Sequence, residues 1–307
     1  MGNVTSASCP SGYISPGKAA GIGIGCAFAG AAITLAVLFL MKNCRRRPSF
    51  RPKPTTPLRS VVQSSNVLDD LPQDIAHQEL NREFSQLETQ IKNFVTNFFH
   101  THSVHVEAID DEKLFALLSA EGVQSHPSNA HWPNQLRDMS TRNIMLKSYI
   151  SKVLLSRINP RGVAEDSFLP VDVVRCYQAL LVGNTQNRSP RLLEYWRSIT
   201  AFLISKQYPS NMIAQQDLRL DNINRMVSDL LDALQPFRNG KPEKRAKEVL
   251  ETIVTSTAVF GLKLFSEINP VEVEWPSSRG QVVIFPALRQ LRLDGGRKVT
   301  IKHALMD

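Results

Sequence analysis

No acidic side chain precedes Asp69, and no charge of either sign lies between positions 19 and 41. The second absence meets the main requirement of a helix that crosses a bilayer. Such a helix needs about 20 apolar residues, because lipid offers no partner to an open backbone. Cysteine is scarce as well, with Cys9, Cys26, Cys44 and Cys176 the only four. No two of them stand at metal-ligand or disulfide spacing in one compartment of the topology derived below, which excludes a zinc site and a disulfide scaffold. The chain has neither a P-loop nor a G-x-S-x-G elbow. Gly21-Ile22-Gly23-Ile24-Gly25 imitates a nucleotide loop, but no strand precedes it and it falls inside the apolar run.

What is present is mostly charge of one sign. Lys18 is the only cation before the apolar run, whereas Lys42, Arg45, Arg46, Arg47, Arg51, Lys53 and Arg59 follow it. Cations beside a span are held on the cytoplasmic side, so the N-terminus is expected outside and the C-terminus in the cytosol. At 1.5 Å rise per residue the run reaches about 34 Å, nearer the thickness of the plasma membrane than that of the endoplasmic reticulum. The reading is an extracellular or lumenal N-terminus over 1–18, a transmembrane helix over 19–41, a basic Pro/Ser-rich linker over 42–70 and a cytosolic domain over 71–307.

Several N-terminal residues are candidate modification or contact sites under that topology. Asn3-Val4-Thr5 is a glycosylation sequon, which the charge rule favours over the myristoylation pattern of Gly2 and Ser6. Gly17, Gly21, Gly25 and Ala29 recur every fourth residue, a stripe that lets two helices approach closely and points to a homodimer through the span. Cys9 has no partner except another chain, and Cys44 beside the span is a palmitoylation candidate. Lys42, Arg45, Arg46, Arg47, Arg51 and Lys53 form a band for an anionic inner leaflet. Arg51-Pro52-Lys53-Pro54-Thr55-Thr56-Pro57 fits the bare pattern of an SH3 ligand but serves equally as an extended spacer. The net charge is +8, and these flanking cations account for all of it. Residues 60–307 are therefore neutral overall, and nucleic acid is not an expected partner.

Beyond residue 70 the period becomes helical. Apolar residues at three- and four-residue spacing predict seven helices, the longest beginning at Pro72 and passing through Leu80, Phe84, Leu87, Ile91, Phe94 and Phe98. The others cover 110–120, 134–158, a stretch opened by Pro170, a stretch opened by Pro190, 215–234 and 242–267. In the Pro190 helix, Leu192, Leu193, Trp196, Ile199 and Leu203 are expected on the inner side. Leu218 heads the inner stripe of the 215–234 helix. The period changes to two near the C-terminus, where 271–275, 281–285 and 297–301 predict a hairpin or three-stranded sheet. The fold class is thus mainly α, with one transmembrane helix and a small terminal β element over 271–301.

The run Phe260-Gly261-Leu262-Lys263-Leu264-Phe265, then Trp275, then Val283-Ile284-Phe285-Pro286-Ala287-Leu288, resembles a group of single-pass membrane proteins of filamentous fungi. The likeness extends to the glycine-rich span and the basic linker. It implies the architecture and no activity, so no site residue is carried over.

The search for chemistry in the domain yields little. His100, His102 and His105 form its one histidine cluster, at the end of the long helix, where the dipole favours them without a metal. Asp110, Asp111 and Glu112 read as a helix start, and Cys176 as a buried thiol. No catalytic, cofactor or metal site is expected. The expected function is a membrane-tethered, non-enzymatic interaction module for a cytosolic protein. An enzyme of unfamiliar type, marked by a cleft with convergent ionisable groups, and a carrier of lipid or apolar ligand remain alternatives.

Overall fold

The computed structural model describes residues 77–119, 132–183, 190–209, 212–276, 281–291 and 298–306. Asn3, the Gly17–Ala29 stripe, the span at 19–41, Cys44 and the basic band all lie outside the described residues. Those described form a mainly helical body, all within one compact unit over 65–307.

Eight α-helices are described: α1 (His77–Phe98), α2 (Asp111–Ser119), α3 (Trp132–Arg137), α4 (Arg142–Ser156), α5 (Val171–Gly183), α6 (Pro190–Ile204), α7 (Leu220–Ala233) and α8 (Glu243–Ser266). In α1 the buried positions are Leu80, Phe84, Leu87, Ile91, Phe94, Val95 and Phe98. That is the expected stripe, and it lies on α8, where Phe84 stacks on Phe260 at 5.5 Å. Among the described residues α8 alone is long and apolar enough to cross a membrane. It packs against α1, α4, α6 and α7 and buries Leu250, Ile253, Val254, Ala258 and Phe260. Its apolarity therefore serves a protein core. A second, smaller core gathers Leu169, Val174, Tyr177, Ala201, Leu262 and Phe265 between α5, α6 and the end of α8.

Two helical expectations are corrected. The single helix expected over 134–158 is two, α3 and α4, broken at Asp138. The Asp138 carboxylate accepts hydrogen bonds from the Ser140 amide and hydroxyl, each at 2.9 Å, a local turn that competes with the helix. Arg142, fully buried, then donates to the carbonyls of Leu136 at 2.7 Å and Arg137 at 2.8 Å, which caps α3, and to that of His102. The helix expected from 215 begins only at Leu220, because a turn at Asp217 and Arg219 precedes it. Leu218, expected inside, sits in that turn and is 73% exposed.

The terminal β element is present but differently paired. A three-stranded antiparallel sheet has the order β1 (Val271–Glu274), β3 (Ala287–Leu291), β4 (Lys298–Lys302). The expected middle strand, β2 (Val283–Phe285), instead pairs with β5 (Leu305–Met306) in a second small sheet. Pro286 separates β2 from β3 and has no N–H to carry one ladder through.

The largest departure is the facing of α6. Leu192 and Leu203, expected inside, are 62% and 72% exposed, while Arg197, Ser198 and Ala201 are buried. Residues 192, 199 and 203 share one stripe of a helix, and Glu194, Arg197, Ser198 and Ala201 share the opposite one. Leu193 and Trp196 pack against the smaller core as expected, and of the expected residues only Leu192 and Leu203 turn to solvent, because the polar stripe is needed inside. Arg197 donates to the carbonyl of Glu267 at 2.6 Å and, more weakly, to that of Leu264 at 3.4 Å. These carbonyls at the C-terminal end of α8 have no helical partner, and a cation suits the negative end of the helix. The double variant Leu192→Ser, Leu203→Ser is expected to shift Tm by less than about 3 °C, since exposed positions contribute within about 0.5 kcal/mol each. A thermal melt showing a loss of about 10 °C or more would place both leucines inside, against this orientation.

Candidate binding cleft

One wall of the cleft between α5, α6 and the terminal sheet is a strand edge. Among the described residues β1 lies at the margin of its sheet, with β3 on one side and no strand on the other. The Leu291 amide donates to the Pro270 carbonyl at 2.8 Å, and the register pairs Glu272 with Arg289 and Glu274 with Ala287. Antiparallel ladders alternate hydrogen-bonded and non-bonded pairs. Glu272 and Glu274 therefore spend their backbone groups on β3, and Val271 and Val273 aim theirs the other way. No backbone group of the described residues bonds to them there.

That free edge opens into a cleft of about 330 Å³. Six consecutive residues, 270–275, line it. Side chains of a strand alternate between faces, so an unbroken run lines a wall only when the edge itself looks inward. The opposite wall comes from Tyr177 on α5, Glu194 and Arg197 on α6, and the loop around Arg161. Sequence chemistry builds that wall locally. Pro190 occupies the first position of α6, where its missing N–H costs nothing, and the Glu194–Arg197 spacing puts both on the inward stripe.

Within the wall, Glu194 Oε2 lies 3.0 Å from Nη2 of Arg197, yet it is buried and receives no hydrogen bond. Its carboxyl is held above the ordinary range, chiefly by burial, with Glu272 adding and Arg197 and Arg161 opposing. The Tyr177 phenol is raised mainly by burial, then by the charge of Glu194, with the charges of Arg161 and Arg197 opposing. The Tyr177 ring stacks on Trp196 at 6.3 Å and meets Phe265 edge-on at 6.1 Å. Trp275 closes the far end, with the Lys152 ammonium 5.8 Å from its ring centre. The cleft thus offers unused backbone donors and acceptors on one side and ionisable, aromatic side chains on the other.

Comparison with protein-family models, curated proteins and solved structures returns no match. The geometry of this cleft therefore carries the functional argument, and the resemblance to fungal single-pass proteins stays an expectation.

The other groups singled out in the sequence lie elsewhere. His100 and His102 stack at 5.5 Å, and the His102 amide donates to Nδ1 of His100 at 3.2 Å. Burial first, then the charges of Arg142 and His102, lowers the His100 pKa. Among the described residues no three His, Cys, Asp or Glu side chains are placed to hold a metal ion. Asp110 caps α2 as expected, accepting from the Lys113 amide at 3.0 Å. Cys176 is exposed and lies outside the cleft, which corrects the expectation of a buried thiol. Val174 and Tyr177 take the inward positions of α5 and turn Cys176 away. A second groove of about 340 Å³ runs between α1 and α8, with Lys241 5.7 Å from the Phe98 ring centre, but no strand edge borders it.

Sequence reasoning misses the cleft residues for definite reasons. The alternation Val271-Glu272-Val273-Glu274-Trp275 signals a strand, but an edge exists only once its neighbours are known. Opposite charges at 194 and 197 read as a solvated helix face until the fold turns that face inward.

Proposed function

We propose that residues 71–307 form a non-enzymatic interaction module, tethered by the span expected at 19–41, that captures an extended segment of a partner protein along β1. The observation that supports this reading is the free edge of β1 opening into a cleft. An extended peptide added to such an edge is held by main-chain hydrogen bonds, and flanking pockets read its alternate side chains. Soluble proteins usually blunt an edge with charge or proline. Pro270 and Pro276 bound this one, which limits pairing to a short segment and disfavours open-ended aggregation.

The test uses the full chain in nanodiscs with a displayed library of extended peptides. Binding is expected to protect the Val271 and Val273 amides from hydrogen exchange and leave Glu272 and Glu274, already bonded to β3, unchanged. Methylating the peptide nitrogen that faces Val273 should weaken binding about tenfold, the worth of one hydrogen bond of roughly 1.4 kcal/mol. Protection confined to other elements would refute the edge reading. An enzymatic reading keeps one supporting observation, the raised Glu194 carboxyl beside Tyr177, since perturbed groups in clefts mark catalysts as well. Turnover of any screened substrate that disappears in Glu194→Gln would favour it.

A further inference from the structure

The cleft also carries a side-chain preference, and this inference rests on the edge-pairing reading above. We infer that the bound segment presents a lysine or arginine to Glu194 and Glu272, between the aromatic rings of Tyr177 and Trp275, flanked by apolar residues.

The argument begins with what Glu194 lacks. Its side chain is 14% exposed, and Oε2 is shielded with no hydrogen-bond donor. Two cations stand near. Arg197 pairs with Glu194 at 3.0 Å but gives Oε2 no hydrogen bond, its Nη2 being directed elsewhere, and Arg161 adds its charge from the neighbouring loop. Arg197 directs Nη2 to the Glu267 carbonyl and holds its guanidinium over the Phe265 ring at 5.8 Å. Arg161, on an exposed loop, acts through its charge on both Glu194 and Tyr177. Burial then outweighs both, and the carboxyl stays raised.

Glu272 faces Glu194 with a charge of the same sign, which disfavours ionisation of Glu194 until a cation enters. Its present partner, Lys298, is 3.6 Å away, is shared with Glu274 at 3.2 Å and is 42% exposed. Exposed pairs of that kind are weak and readily exchanged. Arg289 engages Glu274 at 3.1 Å and leaves Glu272 alone. The rings complete the site, since a cation over an aromatic face is attracted by its quadrupole. Lys152 over Trp275 shows that one of these faces already receives an ammonium.

The strand period supplies the flanks. Side chains of a paired segment alternate, so a residue directed to the Glu272 face has neighbours directed to the Val271 and Val273 face. Val271 is in the main core, and Leu155, Ile158 and Leu264 line that side of the cleft. A segment reading apolar, basic, apolar therefore satisfies both faces. An acidic residue at the central position would add a third carboxylate to the group.

The experiment compares three peptides that differ only at the central position, lysine, norleucine and glutamate, on the full chain in nanodiscs. Lysine is expected to bind at least about tenfold more tightly than norleucine, and glutamate more weakly than either. The lysine peptide should tighten as pH rises through the Glu194 pKa, which lies above the ordinary value of about 4.3, and norleucine should show no such slope. Glu194→Gln should remove both the preference and the slope. If that variant fails to fold, Glu272→Gln should at least halve the preference. Equal affinity of the three peptides, with Val271 and Val273 amides still protected, would overturn the charge inference and leave the edge reading intact. Absence of binding by all three and by the whole library would overturn both.

Discussion

Asp217→Ala is expected to destabilise the folded body by about 3–5 kcal/mol, the range seen when one partner of a buried ion pair is removed. Asp217 and Arg219 are 0% and 1% exposed at their side chains, with Nη2 and Oδ2 2.6 Å apart. The Arg219 amide and Nε also donate to Asp217 Oδ1, at 2.9 and 3.0 Å. The guanidinium rests over the Tyr208 ring at 5.2 Å, and its Nη1 is already buried without a partner. Removing the carboxylate strands a full charge in that setting. Unfolding by denaturant in detergent should show a midpoint lowered well beyond any surface variant. The double variant Asp217→Leu, Arg219→Met should recover most of the loss, because two apolar groups leave no buried charge behind. If the double variant is as unstable as the single one, the loss comes from the turn that starts α7 and the charge argument fails.

Gly261→Ala carries the second large effect. A Cβ at 261 would lie 2.4 Å from Cγ2 and 2.6 Å from Cβ of Ile158. The second atom is attached directly to the backbone, so rotation of the Ile158 side chain cannot clear it. One excess methyl in a packed core costs about 1–3 kcal/mol, and valine at 261 should cost more. Ile158→Ala should rescue Gly261→Ala, with a coupling energy above about 1 kcal/mol in a double-mutant cycle. Additive losses would show that the clash is relieved elsewhere. Ile158 also lines the cleft, so the same overpacking should weaken peptide capture. The two readouts, melting and binding, should move together for Gly261→Ala and separately for Glu194→Gln.

Much of the scaffold is legible in the order of residues alone. The 3–4 spacing from Leu80 to Phe98 reports a helix packed on one side, and α1 is that helix. Pro170, Pro190 and Pro242 each stand at a helix start, where a missing N–H is harmless. Where the expected helices and the observed ones differ, a short-range polar contact overrides the period. Asp138 and Ser140 form a turn inside an otherwise helical run, and Arg219 folds back on Asp217 just ahead of α7. Neither contact changes the apolar pattern, so neither is visible in it.

The candidate site is far less legible, because each part of it depends on what another element needs. The amphipathic pattern of α6 names an apolar stripe and a polar one but leaves open which is covered. The end of α8 decides it, since its last carbonyls require a donor and Arg197 supplies one. The alternation at 271–275 specifies a strand, and only its pairing, with β3 alone among the described residues, makes it an edge. Period and composition were enough to establish the helical body and the small terminal sheet, and to place the net charge of +8 in the region before residue 60. Which polar groups are left unsatisfied, and where they meet, emerged only from the packing. Local periodicity records burial along one element, whereas hydrogen-bond demand is settled between elements.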